Sequence, residues 1–149
     1  MNSRFVHAFA WLAAALLSAG AAASELPPAD GKPLSEIVRS VEAMKLGVIT
    51  SVEFDDGLWE VKTRQGRSAT KLYLDPRSGA ERRRKSDDAE EAPPAGAKPL
   101  SAIIAALEEQ KAGVITSVEF DDGYWEVKLR RDGAKQKIDI VPQTGARRR

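Results

Sequence analysis

The stretch GVITSVEFDDG occurs twice, at Gly47–Gly57 and at Gly113–Gly123, unchanged and 66 residues apart in a chain of 149. Its first part alternates like a half-buried strand, with Val48, Val52 and Phe54 on one face. Its end, Asp56–Gly57, suits a two-residue type I′ hairpin turn, in which both central residues take positive φ. A turn there sets Phe54 opposite Trp59 and Val52 opposite Val61. A second turn near Gly66–Arg67 sets Val61 opposite Leu72 and Trp59 opposite Leu74; in the later copy Val127 faces Ile138 and Trp125 faces Ile140. The period of two pins this register, because a one-residue slip would turn every apolar residue to the other face. Trp59 and Trp125 are therefore expected in the core.

Outward from the eleven-mer, Gly31–Arg82 aligns with Ala97–Arg148 without a gap. KPLS recurs at Lys32 and Lys98, WEVK at Trp59 and Trp125, and a Pro-x-[Ser/Thr]-Gly turn at Pro76–Gly79 and Pro142–Gly145. Each copy opens with an amphipathic helix: Leu34, Ile37, Val38 and Val41 in one, Leu100, Ile103, Ile104 and Leu107 in the other. Pro33 suits the first turn, and Gly47 and Gly113 are expected to end the helices. The fold class is α+β: two tandem α-β-β-β units, each a helix packed on one face of a small antiparallel sheet, with a short fourth strand after Gly79. The units span 31–84 and 97–149, joined by a Pro/Ala-rich acidic linker over 85–96. Domains of about fifty residues bury only about 60% of their unfolded surface, so each is expected to need its neighbour. Whether the two sheets join edge to edge is left open.

Residues 1–23 read as a secretory signal: Arg4, the apolar run FAWLAAALLSAGAAA, and an A-x-A cleavage site before Ser24. This places the protein in the periplasm, or alternatively outside the cell, with no transmembrane segment after cleavage. Losing the signal removes one basic residue and leaves 22 basic against 22 acidic ones, a balance that gives no argument for nucleic acid. There is no cysteine, and the one histidine, His7, leaves with the signal. The chain then lacks the commonest general base, the commonest transition-metal ligand and the thiol nucleophile. It is read as a non-enzyme with no cofactor and no metal.

The same register displays the other sheet face. Glu53, Glu60 and Tyr73 form one transverse row, and Glu119, Glu126 and Asp139 its counterpart. A basic row lies one step along, Lys62 beside Lys71 and Lys128 beside Lys137. The five acids are weak candidates for a hard cation, which takes several oxygen ligands; otherwise acids and lysines pair diagonally on a solvated face. Asp55, Asp56, Asp121 and Asp122 at the hairpin tips, with Leu58, Tyr73 and Tyr124, are the partner-contact candidates. Arginine runs at Glu81–Lys85 and Ala146–Arg149 would meet anionic lipid or an acidic protein surface in an exported protein, or serve as charged edge strands that deter aggregation.

The first copy resembles a PepSY domain in its opening PLSEIV, its ITSVEFDDGLWEV and its closing YLDPRSG. The second departs at DIVPQTG, with Asp139 in place of the tyrosine and Val141 in place of the aspartate. The tandem arrangement is also similar to β-lactamase inhibitory protein, in which two such units form one concave binding surface. The resemblance implies a module of the kind found in propeptides of thermolysin-like peptidases and in bacterial envelope proteins, with no catalytic residues to carry over. The expected function is thus an exported protein-binding module that restrains or regulates a peptidase or another envelope protein. The alternatives are an envelope sensor that binds a small ligand or cation through the acidic rows, and a structural spacer.

Overall fold

The computed structural model describes residues 25–149, so the expected export signal at 1–23 lies outside the described residues. The first unit contains α1 (Leu34–Ala43), β1 (Val48–Asp55), β2 (Leu58–Gln65), β3 (Ser68–Leu74) and β4 (Glu81–Asp87). The second contains α2 (Leu100–Glu109), β5 (Val114–Asp121), β6 (Tyr124–Arg131) and β7 (Ala134–Ile140). Every cross-strand pair expected from the alternation is present, including Phe54 with Trp59, Val61 with Leu72, and Trp125 with Ile140. Asp56 and Gly57 take φ of 48° and 75°, and Asp122 and Gly123 take 49° and 83°, as a type I′ turn requires. Trp59 and Trp125 are buried and meet Phe54 and Phe120 edge-on, with ring centroids 5.1 Å and 5.2 Å apart.

Two local expectations are corrected. Val48 and Val114 do not join the core; they are 48% and 46% exposed, while Ile49 and Ile115 are buried. A bulge between Ile49 and Ser51, repeated between Ile115 and Ser117, inserts one residue and reverses the alternation upstream of it. Nor do Gly47 and Gly113 end the helices. Lys45 and Lys111 do so, two residues earlier, by taking φ of 56° and 49°. Gly47 (φ 106°) instead lets the backbone pass β2, since a Cβ there would lie 2.2 Å from the Arg64 carbonyl oxygen; at Gly113 (φ 141°) it would lie 2.7 Å from that of Arg130.

The two expected small sheets are one sheet. Its order is β4-β3-β2-β1-β5-β6-β7, every neighbour antiparallel. At the joint Val52 faces Val118, Ser51 faces Glu119 and Glu53 faces Ser117. Val52 thus meets its own copy, and Ser51 and Glu53 each meet the copy of the other, the pattern of an isologous two-fold contact made within one chain. This register also keeps Glu53 and Glu119 from lying directly opposite each other, where like charges destabilise a sheet. Leu34, Ile37, Val38 and Val41 of α1 and Leu100, Ile103, Ile104 and Leu107 of α2 share a single core with the strands.

The helices meet by the same two-fold rule. Pro33 and Pro99 stand at the N-caps, where they offer no side-chain acceptor to the orphan N–H groups of the first turn. Acceptors come from the other helix. Glu108 accepts from the Ser35 N–H (3.3 Å) and hydroxyl (2.5 Å), and Glu42 from the Ser101 N–H (3.1 Å) and hydroxyl (2.6 Å). Each helix start is also tied to the turn that closes its unit, the Lys32 N–H donating to the Pro76 carbonyl (2.8 Å) and Lys98 to Pro142 (2.9 Å).

The fourth strand expected after Gly79 is present and runs through Asp87, into the stretch expected as linker. Beyond Asp87 the chain is held down: Lys62 pairs with Glu90, and the Asp122 N–H donates to Glu91 (3.2 Å). The second unit has only a bridge, between Ile140 and Arg147, where the first has a strand.

Substituting Gly47→Ala is expected to cost at least about 2 kcal/mol in urea unfolding, through steric overlap and strain. Lys45→Gly, which relieves a left-handed lysine, is expected to stabilise by up to about 1 kcal/mol. A double-mutant cycle of Glu42→Ala with Ser101→Ala should give a coupling of about 1–2 kcal/mol; no coupling would mean the two helices are not capped by each other.

Candidate functional site

The helices cover one face of the sheet, so the opposite, charged face and the two edges are where a partner can reach it. Along β1 and β2 of the first unit, Glu53 lies opposite Glu60, and Glu60 opposite Tyr73 of β3. Lys71 crosses to Glu60 at 2.8 Å, and Lys62 and Lys71 reach Asp87 at 3.4 Å and 3.8 Å. The Glu60 hydrogen bond holds Lys71 above the usual lysine range. Burial pulls Lys62 downward, but Glu90 and Asp87 outweigh it and raise it.

In the second unit Glu126 takes both lysines, Lys137 at 2.6 Å and Lys128 at 3.4 Å, and Asp139 approaches Arg148 at 3.9 Å. The hydrogen bond from Lys137 lowers the Glu126 carboxyl below its ordinary value. Glu53 and Glu119 stay exposed beside the joint, and with Glu60, Lys62 and Lys71 they line a recess of about 100 Å³. Ammonium groups stand among these carboxylates, and among the described residues no group of three or more His, Cys, Asp or Glu is placed to hold a metal ion.

The partner-contact candidates separate. Asp55, Asp56, Asp121 and Asp122 are exposed, but antiparallel pairing of β1 with β5 sends the two hairpin tips to opposite ends of the sheet. The Gly57 N–H donates to Glu25 (3.3 Å), as Asp122 does to Glu91. Leu58 and Tyr124 are half-buried, with the Arg148 guanidinium 4.4 Å from the Tyr124 ring centroid. Tyr73 is no surface contact: it is 3% exposed, under the Arg83 guanidinium of β4 at 3.8 Å. Its expected outward parity is correct, and β4 then covers it.

The motif's aspartate does work in the first unit that Val141 does not repeat. Asp75 accepts from the N–H groups of Arg77 and Ser78, each at 2.9 Å, and from Arg82 at 2.7 Å. The Arg82 hydrogen bond, then the two backbone ones, hold its carboxyl far below the usual range.

Sequence reasoning missed Glu42, Glu108, Asp87 and Glu90. A signal for the first two was present: apart from Ser35/Ser101 and Glu42/Glu108, the helices keep no polar residue in common between the copies. Beside Glu42, a cleft of about 700 Å³ opens between Arg39, Gln65, Pro94 and Trp125. Among the described residues no helix is long and apolar enough to cross a membrane.

Comparison with known proteins gives a family match over nearly the whole chain. The model of the peptidase propeptide and YPEB domain matches residues 7–85 and again 87–148. No curated protein matches the sequence. Among solved structures the chain is similar to a protein of Clostridium difficile 630 described as a "putative lipoprotein", at 14% identity and a TM-score of 0.47, over 78% of this chain and 90% of that one.

Because the Asp75 carboxyl is depressed on folding from 3.8, its contribution to stability is present above that value and lost as the pH falls below it. Wild-type protein should therefore lose stability between about pH 4 and pH 2 more steeply than an Asp75→Asn variant, and should be the more stable of the two at neutral pH. Parallel acid-unfolding curves for the two would remove Asp75 from this role.

Proposed function

This chain belongs to the peptidase propeptide and YPEB domain family, and on that premise we propose that it is a non-enzymatic, exported protein-binding module. It acts in the periplasm by restraining or regulating a peptidase or another envelope protein. The observation that carries this reading is the single seven-stranded sheet with both helices on one face, which leaves the opposite, charged face, covered in part by β4 and the segment after it, as the side a partner would meet. The mutual capping of the helices and the shared core support it further, since a surface held rigid before binding spends less free energy on ordering when the partner arrives. The reading of residues 1–23 as an export signal supports the location, and the lack of cysteine and of histidine beyond His7 supports a non-catalytic role.

Tyr124 is the proposed anchor of the contact, an aromatic at the margin of the open face with Asp121 and Asp122 beside it. Photo-crosslinkers at Leu58 and Tyr124 should recover one dominant protein from envelope extract, whereas the same group on the helix face at Arg39 should not. If that protein is a peptidase, stoichiometric addition should inhibit it. Tyr124→Ala should weaken the complex at least about tenfold, or about 1.4 kcal/mol. Equal recovery from both faces, or none from either, would overturn the proposal.

A further inference from the structure

Duplication allows one half of this protein to be read against the other. In the first unit, β4 lies along β3, pairing Leu72 with Arg84, Lys71 with Lys85, Thr70 with Ser86 and Ala69 with Asp87. The segment it leads into is held by three cations of the outer face. Lys62 and Lys71 take Asp87, Lys62 also takes Glu90, and the Arg64 Nη1 donates to the Glu90 carbonyl at 2.7 Å. Under that cover the side chains of Lys62 and Lys71 are 21% and 17% exposed.

All three cations recur in the second unit, as Lys128, Arg130 and Lys137, but among the described residues no strand lies beyond β7. The lysines share Glu126 alone and are 52% and 58% exposed. The buried Nε of Arg130 has no hydrogen-bond partner, and its Nη1 reaches only the Gly133 carbonyl at 3.4 Å. With Thr116 and Lys135 these residues line a recess of about 310 Å³. The edge is also started in the right direction: the Arg148 N–H donates to the Asp139 carbonyl (2.8 Å), so that residue's backbone polar groups point outward. By strand alternation Lys137 and Lys135 then present their own N–H and C=O to the same open side.

We propose that the Lys135–Ile138 edge of β7 is a binding site for an extended acidic segment of a partner protein. The segment adds as an antiparallel eighth strand and places carboxylates three residues apart, as in Asp87-x-x-Glu90, on Lys128 and Lys137, and a main-chain carbonyl on Arg130. The ladder supplies sequence-independent hydrogen bonds, and the cations select the acidic segment. A second copy of this chain fits poorly as the occupant, because its own β4 edge carries Arg82, Arg83, Arg84 and Lys85 and would meet a basic edge with a basic strand. The inference rests on the protein-binding reading above and deepens it by naming an edge and a chemistry.

The probe is a fluorescent peptide copying residues 84–93, RKSDDAEEAP, offered to the intact protein at low salt. Saturable binding with a Kd below about 1 mM is expected, with amide shifts in an NMR titration confined to β7 and its neighbours. Changing the peptide residues that copy Asp87 and Glu90 to Asn and Gln should weaken it at least about tenfold, as should Lys128→Gln with Lys137→Gln in the protein, and added salt should do the same. Circular dichroism and the unchanged shifts of α1 would show that the double variant still folds. No binding at that concentration, shifts elsewhere, or indifference to charge on both sides would overturn the site, as would a concentration-dependent dimer that protects β7. If the peptide binds as expected while envelope capture finds no partner, the module reading fails and the edge assignment stands; capture without peptide binding has the opposite meaning.

Discussion

The pairing of Val52 with Val118 is the contact on which the architecture turns. It joins the inner strands of two units that would each bury too little apolar surface alone, and makes one core from two halves. Because the pairing is antiparallel and centred on equivalent residues, everything beyond it is arranged by a two-fold axis. The helices lie side by side on one face, the hairpin tips fall at opposite ends, and β4 and β7 become the outer edges. The identity of the eleven-residue repeat has its reason in the same geometry. Ser51 and Glu53 lie outside the core, yet each faces the duplicate of the other. A change at either position alters the joint from one side only, so core packing and turn chemistry are not the only constraints on the segment.

The helix ends show how the two-fold solves a local problem. A proline before each helix fixes the chain's approach but offers no side-chain cap. Glu42 and Glu108 sit in the last turns of their own helices, where a carboxylate opposes the macrodipole, and complement the first turn of the neighbouring helix instead. An arrangement that is poor within one helix is good across the pair, which binds the units together more specifically than apolar contact would.

Departures from the two-fold concentrate at the outer edges. The first unit closes its edge with β4, shelters Tyr73 beneath Arg83, and neutralises its lysines with Asp87 and Glu90. The second keeps the corresponding cations but leaves them more exposed beside an edge with little cover. A duplicated protein thereby offers two different edges: one that ends in the basic strand β4 with its lysines sheltered, and one that ends in β7 beside more exposed lysines. This difference, more than the acidic rows expected as cation ligands, distinguishes the surfaces available to a partner.

The sequence by itself determined the elements and their local register. Alternation and the Asp-Gly turns specify which residues of each hairpin face each other, because a period of two allows no slip, and the helical stripes specify which face of each helix is buried. It could not show the bulge at Thr50 or the close passage of Gly47 by Arg64, since both depend on how the strand meets its neighbour. It made Tyr73 an outward residue, correctly by parity, but a strand from later in the chain decides whether outward means exposed. Tertiary structure alone decided that β1 pairs with β5, that each helix caps the other, and that the acids of the supposed linker are held by Lys62, Lys71 and the Asp122 turn. Those contacts join residues far apart in the chain, and no spacing or periodicity within either copy records them.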